Sequence, residues 1–217
     1  MCGRFTLSSP DLAALAAAWA AEVDAATRAA WRPRYNVAPG DRHLLLRRSG
    51  DARRIEPAAF GLEGPGGRVL LNARVETAAA RPAFREAWTA RRCAVPADGF
   101  FEWEGPATAR RPTWFHLADR RPLLLGALYA HRPDGSLAFA ILTTEAVAPV
   151  RALHDRMPLV VPEPLLGAWL EGRPPQLPAP SPGFLAARRV SARVNSVTHD
   201  DPACIEPAGP PPQLRLL

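Results

Sequence analysis

The stretch Arg91-Arg92-Cys93-Ala94-Val95-Pro96-Ala97-Asp98-Gly99-Phe100-Phe101-Glu102-Trp103 reads as two strands around a turn. Arg92 to Val95 and Phe100 to Glu104 are β-prone runs, and Pro96-Ala97-Asp98-Gly99 is turn punctuation. Downstream, Thr113 to Leu117, Leu123 to His131 and Leu137 to Thr143 alternate or run apolar and continue the sheet, with a turn at Pro133-Asp134-Gly135. Upstream, His43 to Arg48 and Arg53 to Phe60 flank Ser49-Gly50-Asp51, a hairpin signal. Tyr35 to Gly40 reads as an irregular turn. Val69 to Asn72, Leu159 to Val161 and Arg189 to Val194 read as short extended pieces. Helical patterns are short: Asp11 to Ala20 with Ser8 or Ser9 and Pro10 at its start, Asp24 to Trp31, turns over 76–80 and 82–90, and Pro164 to Leu170. The pattern predicts an α+β, mainly-β fold in one domain, residues 1–206, with short peripheral helices. Arg173 to Pro182 is too rich in proline for regular structure, and 207–217 is a loose proline-rich tail.

The chain has 217 residues and a net charge of +6. All 27 basic residues are arginine. A GC-rich coding bias explains that preference, but its chemical consequence stands: with no lysine, the α-amine is the one amine able to form an imine. Excess guanidinium also suits a phosphate polyanion. The three cysteines, Cys2, Cys93 and Cys204, are too few and too scattered for a disulfide framework or a zinc motif. No metal or cofactor is expected. With no membrane-length apolar run and no signal-peptide pattern, the expected location is the cytoplasm.

Five polar groups stand in apolar or turn-rich settings. Cys2 with Arg4 lies at the N-terminus; once Met1 is removed, Cys2 carries an amine and a thiol on adjacent carbons. Asn36 could be a turn residue. Asn72 could cap the helix that follows. Glu102 alternates with aromatics and could face solvent. His154 could be a surface histidine, and Arg74 and Arg156 could pair with nearby carboxylates.

Taken together and in order, these groups resemble the SOS response-associated peptidase (SRAP) family, which includes bacterial abasic-site shields and their eukaryotic counterpart. The matching stretches are MCGRF at 1–5, RYNVAPG at 34–40, NARVET at 72–77, RRCAVPADGFFEW at 91–103, ILTTEA at 141–146, HDRMP at 154–158 and VSARVN at 190–195. The resemblance implies a β-barrel-like sheet core and a basic cleft for single-stranded DNA containing abasic sites. It implies loss of Met1 and a covalent crosslink through Cys2, with Asn72, Glu102 and His154 completing the catalytic group. Arg4, Asn36, Arg74, Arg156 and Phe60 are the expected DNA-binding residues, and the protein is expected to be a bacterial, nucleoid-associated monomer without membrane partners. Two aromatic features of the family are altered. Phe60 stands where a tryptophan is usual, and the tryptophan that follows is missing. Phe-Phe-Glu-Trp replaces Phe-Tyr-Glu-Trp.

The chemistry fits these residue types. An abasic deoxyribose opens to an aldehyde; a carboxyl group among aromatic rings, Glu102, has the raised pKa to move protons both ways. An α-amine titrates near 7.7–8.0 and is partly neutral at pH 7, whereas a lysine near 10.4 is not. The Cys2 thiol is expected to be lowered from about 8.5 by Arg4 and Arg74. It then closes a thiazolidine. His154 would hold the sugar or phosphate, or relay protons. The competing class is a cysteine peptidase, mainly autoproteolytic, with Cys2 as nucleophile and His154 and Glu102 or Asn72 in support. Lyase-like activity is a further expectation.

Overall fold

The computed structural model describes residues 2–172, 177, 181 and 183–209. Its strands are β1 (Phe5–Leu7), β2 (Ala21–Val23), β3 (Arg34–Val37), β4 (Arg42–Ser49), β5 (Ala52–Phe60), β6 (Leu62–Glu63), β7 (Val69–Leu70), β8 (Asn72–Arg74), β9 (Arg92–Ala97) and β10 (Gly99–Glu104). They continue with β11 (Arg111–Leu117), β12 (Leu123–His131), β13 (Leu137–Glu145), β14 (Arg156–Pro158) and β15 (Leu185–Arg189). The helices are α1 (Leu12–Ala18), α2 (Ala25–Ala30), α3 (Val75–Ala78), α4 (Pro82–Ala90) and α5 (Leu166–Leu170).

The long apolar runs become interior strands because both of their faces are covered. β13, β12, β9, β4 and β5 are hydrogen-bonded in that order, and β5 returns to pair in parallel with β13, closing a ring. Alternate residues of these strands serve two cores. Leu44, Leu46, Leu124, Leu128 and Leu142 pack with α1, α4 and α5 through Leu15, Phe84 and Trp169. Leu45, Val95, Leu125, Phe139 and Ile141 pack with Phe5, Phe100 and Phe115 from the second sheet, ordered β15-β11-β10-β1-β3. A third, smaller core of Phe101, Trp114, Val190, Val194 and Cys204 seals that sheet's other face. The barrel-like core with peripheral helices matches the expected class.

Several local expectations needed correction. Asp11, not Ser8 or Ser9, caps α1, its side chain accepting from the Ala14 amide at 2.8 Å. Ser8 is instead bound to Asp98, as is Thr6. This Asp98 anchoring explains the turn: the strands run up to Ala97 and from Gly99 with one residue between them. Gly99 is needed for close approach, since a Cβ there would lie 2.2 Å from Nε1 of Trp114. The expected irregular turn at 35–40 begins with strand β3. Residues 21–23, too short to show a period, form β2 beside β5. The expected strand at 189–194 is displaced: β15 ends at Arg189, and Ala192–Asn195 is a 3-10 turn capped by Ser191. Leu159 to Val161 lies just beyond β14. Most of 173–182, and 210–217, fall outside the described residues. Pro207, expected to begin the loose tail, bridges to Val190 at the sheet margin.

The buried ring of His43 ties stability to pH. His43 on β4 is 3% exposed and wedged against Phe5 and Trp31. Its Nε2 lies 2.8 Å from the Pro96 carbonyl, and Nδ1 is buried without a partner. The ring is therefore neutral with its proton on Nε2, and adding a second proton would bury an unsolvated charge. Burial pushes its pKa from 6.5 down to about 4. The folded pKa lies below the unfolded one, so this contribution is fully present above pH 6.5 and is lost as pH falls towards 4. The difference corresponds to about 3 kcal/mol. Urea unfolding between pH 7 and pH 4 should show this loss, and His43→Gln, which retains an N–H donor, should flatten it.

Candidate active site

The N-terminal strand is not at an edge. β1 lies between β3 and β10, with Phe5 opposite both Val37 and Phe100. Cys2, three positions before the strand, is thereby carried into the core and is fully buried. Its Sγ lies 3.9 Å from the Arg4 carbonyl, and its own carbonyl accepts from Asn72 Nδ2 at 3.1 Å. Asn72 opens β8, which runs parallel to β13. It is not a helix cap: Arg74 occupies the cap of α3, without a side-chain bond.

Glu102 sits on β10 opposite Thr113 and is 4% exposed. It does not face solvent. Phe101 and Trp103, its neighbours on the strand, pack on the opposite face in the third core. Burial raises the Glu102 carboxyl above its ordinary range, and the nearby His154 works against that rise. Burial first, and then the negative charge of Glu102, push the Cys2 thiol well above its ordinary value. The expected lowering by Arg4 and Arg74 is thus reversed, because desolvation outweighs charges that lie nearer the solvent.

His154 follows the 3-10 turn Val150–Ala152. Its Nδ1 accepts the Arg156 amide at 2.9 Å, which leaves the proton of the neutral ring on Nε2. Asp155 Oδ1 is also 2.9 Å from Nδ1, an ion pair when the ring is protonated. Glu102 lies near enough to act electrostatically on Cys2 and to feel His154, and Asn72 joins the group through its bond to the Cys2 carbonyl.

Two clefts open from this centre. One, of about 840 Å³, is lined by Arg74, Arg151, His154 and Arg156 together with the carboxylates Glu76, Glu145 and Asp155, and Arg151 is paired with Glu145. The other, of about 900 Å³, is lined by Gly3, Arg4, Glu102, Trp103, Arg110 and Asn195, with Pro39 and Val197. Their guanidinium groups can neutralise phosphates, and the Trp103 ring offers an aromatic surface. Arg156 is less available than its sequence setting implied. Both of its terminal nitrogens bond Glu76, at 2.9 and 2.8 Å, and one also reaches the Thr143 carbonyl at 2.6 Å.

Two expected DNA contacts are located in the interior. Phe60 is fully buried, stacked on Phe139 at 5.3 Å and edge-on to Phe5 at 5.5 Å. Its ring has no face for a base; burying such a side chain stabilises the fold by about 1.5–3 kcal/mol. Asn36 is also fully buried, on β3, and bonds the chain at 194–199. Trp103, Asn195 and Arg110 were not singled out for the site. Trp103 Nε1 donates to Asn195 Oδ1 at 2.7 Å, and Asn195 Nδ2 donates to the Arg110 carbonyl at 3.0 Å. The VSARVN stretch held the signal for Asn195.

A family model described as "SOS response associated peptidase (SRAP)" matches residues 1–197. The abasic site processing protein YedK of Escherichia coli (strain K12) is 35% identical over 182 residues, 78% of this chain and 79% of that protein. The abasic site processing protein YoqW of Bacillus subtilis (strain 168) is 30% identical over 228 residues, 95% of this chain and 99% of the relative. Among solved structures, a protein from Bacteroides thetaiotaomicron shares the fold with a TM-score of 0.78 at 20% identity, covering 95% of this chain and 100% of that one. A phage-related protein from Bordetella bronchiseptica aligns with a TM-score of 0.67 at 28% identity, covering 87% and 94% of the two chains. The buried N-terminal cysteine and its clefts thus sit within a match that spans most of the sequence, and this chain belongs to the SOS response associated peptidase (SRAP) family.

Proposed function

We propose that this protein recognises abasic sites in single-stranded DNA and links to them covalently through Cys2 after Met1 is removed, shielding the lesion during the response to DNA damage. The observation that carries this reading is the buried Glu102 carboxyl acting on the buried Cys2 thiol, with Glu102 lining a cleft that also holds Arg4 and Arg110. Relatives bearing the name abasic site processing protein support the substrate.

In this reading, Glu102 protonates the ring oxygen of the abasic sugar and takes up the C1′ hydroxyl proton as the aldehyde opens at C1′, which leaves the carboxyl protonated for the next step. The Cys2 α-amine adds to C1′ to give a carbinolamine, and Glu102 protonates the departing hydroxyl, which leaves as water. The thiol sulfur then adds to the iminium carbon while its proton passes to the Glu102 carboxylate, and the nitrogen of the new ring keeps its hydrogen. The net change is loss of one water. The elevated thiol pKa is tolerable because Glu102, once it has given up its proton, can accept the one from sulfur. Asn72 holds the Cys2 backbone through its carbonyl. His154 presents Nε2–H to the sugar or a phosphate.

The test is incubation of the full chain with a single-stranded oligonucleotide carrying one abasic site, resolved on a denaturing gel with intact-mass analysis. Protein lacking Met1, and an adduct weighing the sum of the partners less one water, are the expected result. An active chain that keeps Met1, or the absence of an adduct, defeats the reading. The cysteine-peptidase alternative needs a thiolate that burial disfavours; Cys2-dependent cleavage of a mixed peptide library would promote it.

A further inference from the structure

We infer that Asn36 is a positioning residue that fixes the Arg4 guanidinium at the cleft as a cation with no paired carboxylate among the described residues. This rests on the DNA-crosslinking reading above. Arg4 is half-buried, and one of its terminal nitrogens donates to Asn36 Oδ1 at 2.6 Å and to the Val194 carbonyl at 2.9 Å. Its guanidinium lies 5.8 Å from the centre of the Trp103 ring. Each of these partners is neutral. Asp41, the carboxylate that influences Arg4 electrostatically, is itself paired with Arg34 at 2.7 Å. Arg156 presents the contrast, since Glu76 grips it bidentately.

The other end of the Asn36 amide explains why the residue is an amide. Nδ2 donates to the carbonyls of Ser196 at 2.9 Å and His199 at 2.6 Å, with Val194 at 3.4 Å. Asp200 accepts the backbone amides of Tyr35 at 2.6 Å and Asn36 at 2.9 Å, and also bonds Arg34 Nε. The segment that carries Asn195 and Val197 into the cleft wall is thus staked to β3 from two directions. A side chain here must accept from Arg4, donate to carbonyls and bring no charge. Asparagine meets all three requirements; aspartate meets the first alone and would cancel the Arg4 charge.

Two substitutions separate charge from position. Asn36→Asp keeps an acceptor for Arg4 but neutralises it. Binding of a labelled, lesion-free single-stranded oligonucleotide, titrated against salt, should lose about 0.7 in log–log slope, the share of one phosphate contact and the same loss as Arg4→Ala. Asn36→Ser is neutral but cannot reach Arg4 in the same way. It should retain the wild-type salt slope yet form adduct about tenfold more slowly at saturating DNA, as expected when a binding group is misplaced. A role limited to stability would shift the melting temperature of both variants without these opposite signatures. A folded Asn36→Asp with the wild-type slope, or a folded Asn36→Ser with the wild-type rate at saturation, overturns the inference; if one variant does not fold, the other decides. A wild-type chain that binds DNA without forming adduct defeats the crosslinking reading, while the salt-slope arm still decides the role of Asn36. A chain that does not bind single-stranded DNA overturns both.

Discussion

Replacing Cys2 with alanine is expected to reduce the heat-stable adduct to background while leaving an imine that borohydride can trap. The chain has no lysine, so in the proposed reaction the α-amine at position 2 attacks the aldehyde, and Cys2→Ala retains it. What is lost is the sulfur that closes the five-membered ring. An open imine hydrolyses when the protein is denatured, and it also activates the sugar for strand scission. Borohydride delivers hydride to the imine carbon and gives a secondary amine that survives denaturation. Wild-type adduct, already closed, should be independent of borohydride. Heat-stable adduct at wild-type yield from Cys2→Ala without reductant would show that sulfur is not a partner in the linkage. Because Cys2 is fully buried, the variant should be checked by thermal melting, although removing one sulfur from the core is a small change in volume.

The second large effect is expected at Glu102, where reaction and stability should move in opposite directions. Glu102→Gln retains the shape of the side chain but cannot transfer a proton. Adduct formation should slow by about 10²–10⁴-fold, the usual contribution of general acid–base catalysis. The same change should raise the melting temperature at neutral pH. The folded pKa of Glu102 is raised by burial, so its stabilising contribution is fully present below the unfolded value and is lost as pH rises through the folded one. At pH 7 the unfolded chain gains more from ionising this carboxyl than the folded chain does, and the amide removes that difference. The stability gap should shrink as pH falls below the ordinary carboxylate range. A Glu102→Gln protein with unchanged crosslinking rate removes Glu102 from the catalytic group. One that is less stable than wild type at pH 7 contradicts the burial argument.

The strands that form the ring were legible because their apolar runs are long. The expected bounds of Leu123 to His131 coincide with those of β12, and Arg53 to Phe60 lies within β5. β2 and β3 were not recognised because segments of three and four residues carry too little period. The catalytic candidates Cys2, Asn72, Glu102 and His154 were legible as an ordered set, and the fold gathers them around one centre. Alternation placed Phe101 and Trp103 correctly on one face of β10. It did not say whether the Glu102 face met water or was buried, and burial is what raises that carboxyl above its ordinary range.

From the sequence alone came the reactive inventory: a cysteine directly after Met1, an all-arginine cationic set, and the order of motifs that marks the family. These depend on residue identity and chain order, which folding does not alter. Tertiary structure decided which polar residues meet the cleft and which support it. Arg4 contacts the Val194 carbonyl across 190 residues, and Asn36 reaches the carbonyls of Ser196 and His199. No local pattern encodes such pairings, since they arise where strands distant in sequence pack together. The same packing took Phe60 from the surface into the core and raised the Cys2 thiol that neighbouring arginines were expected to lower. Desolvation is a property of the whole surrounding shell, and that shell exists only once the sheets have closed.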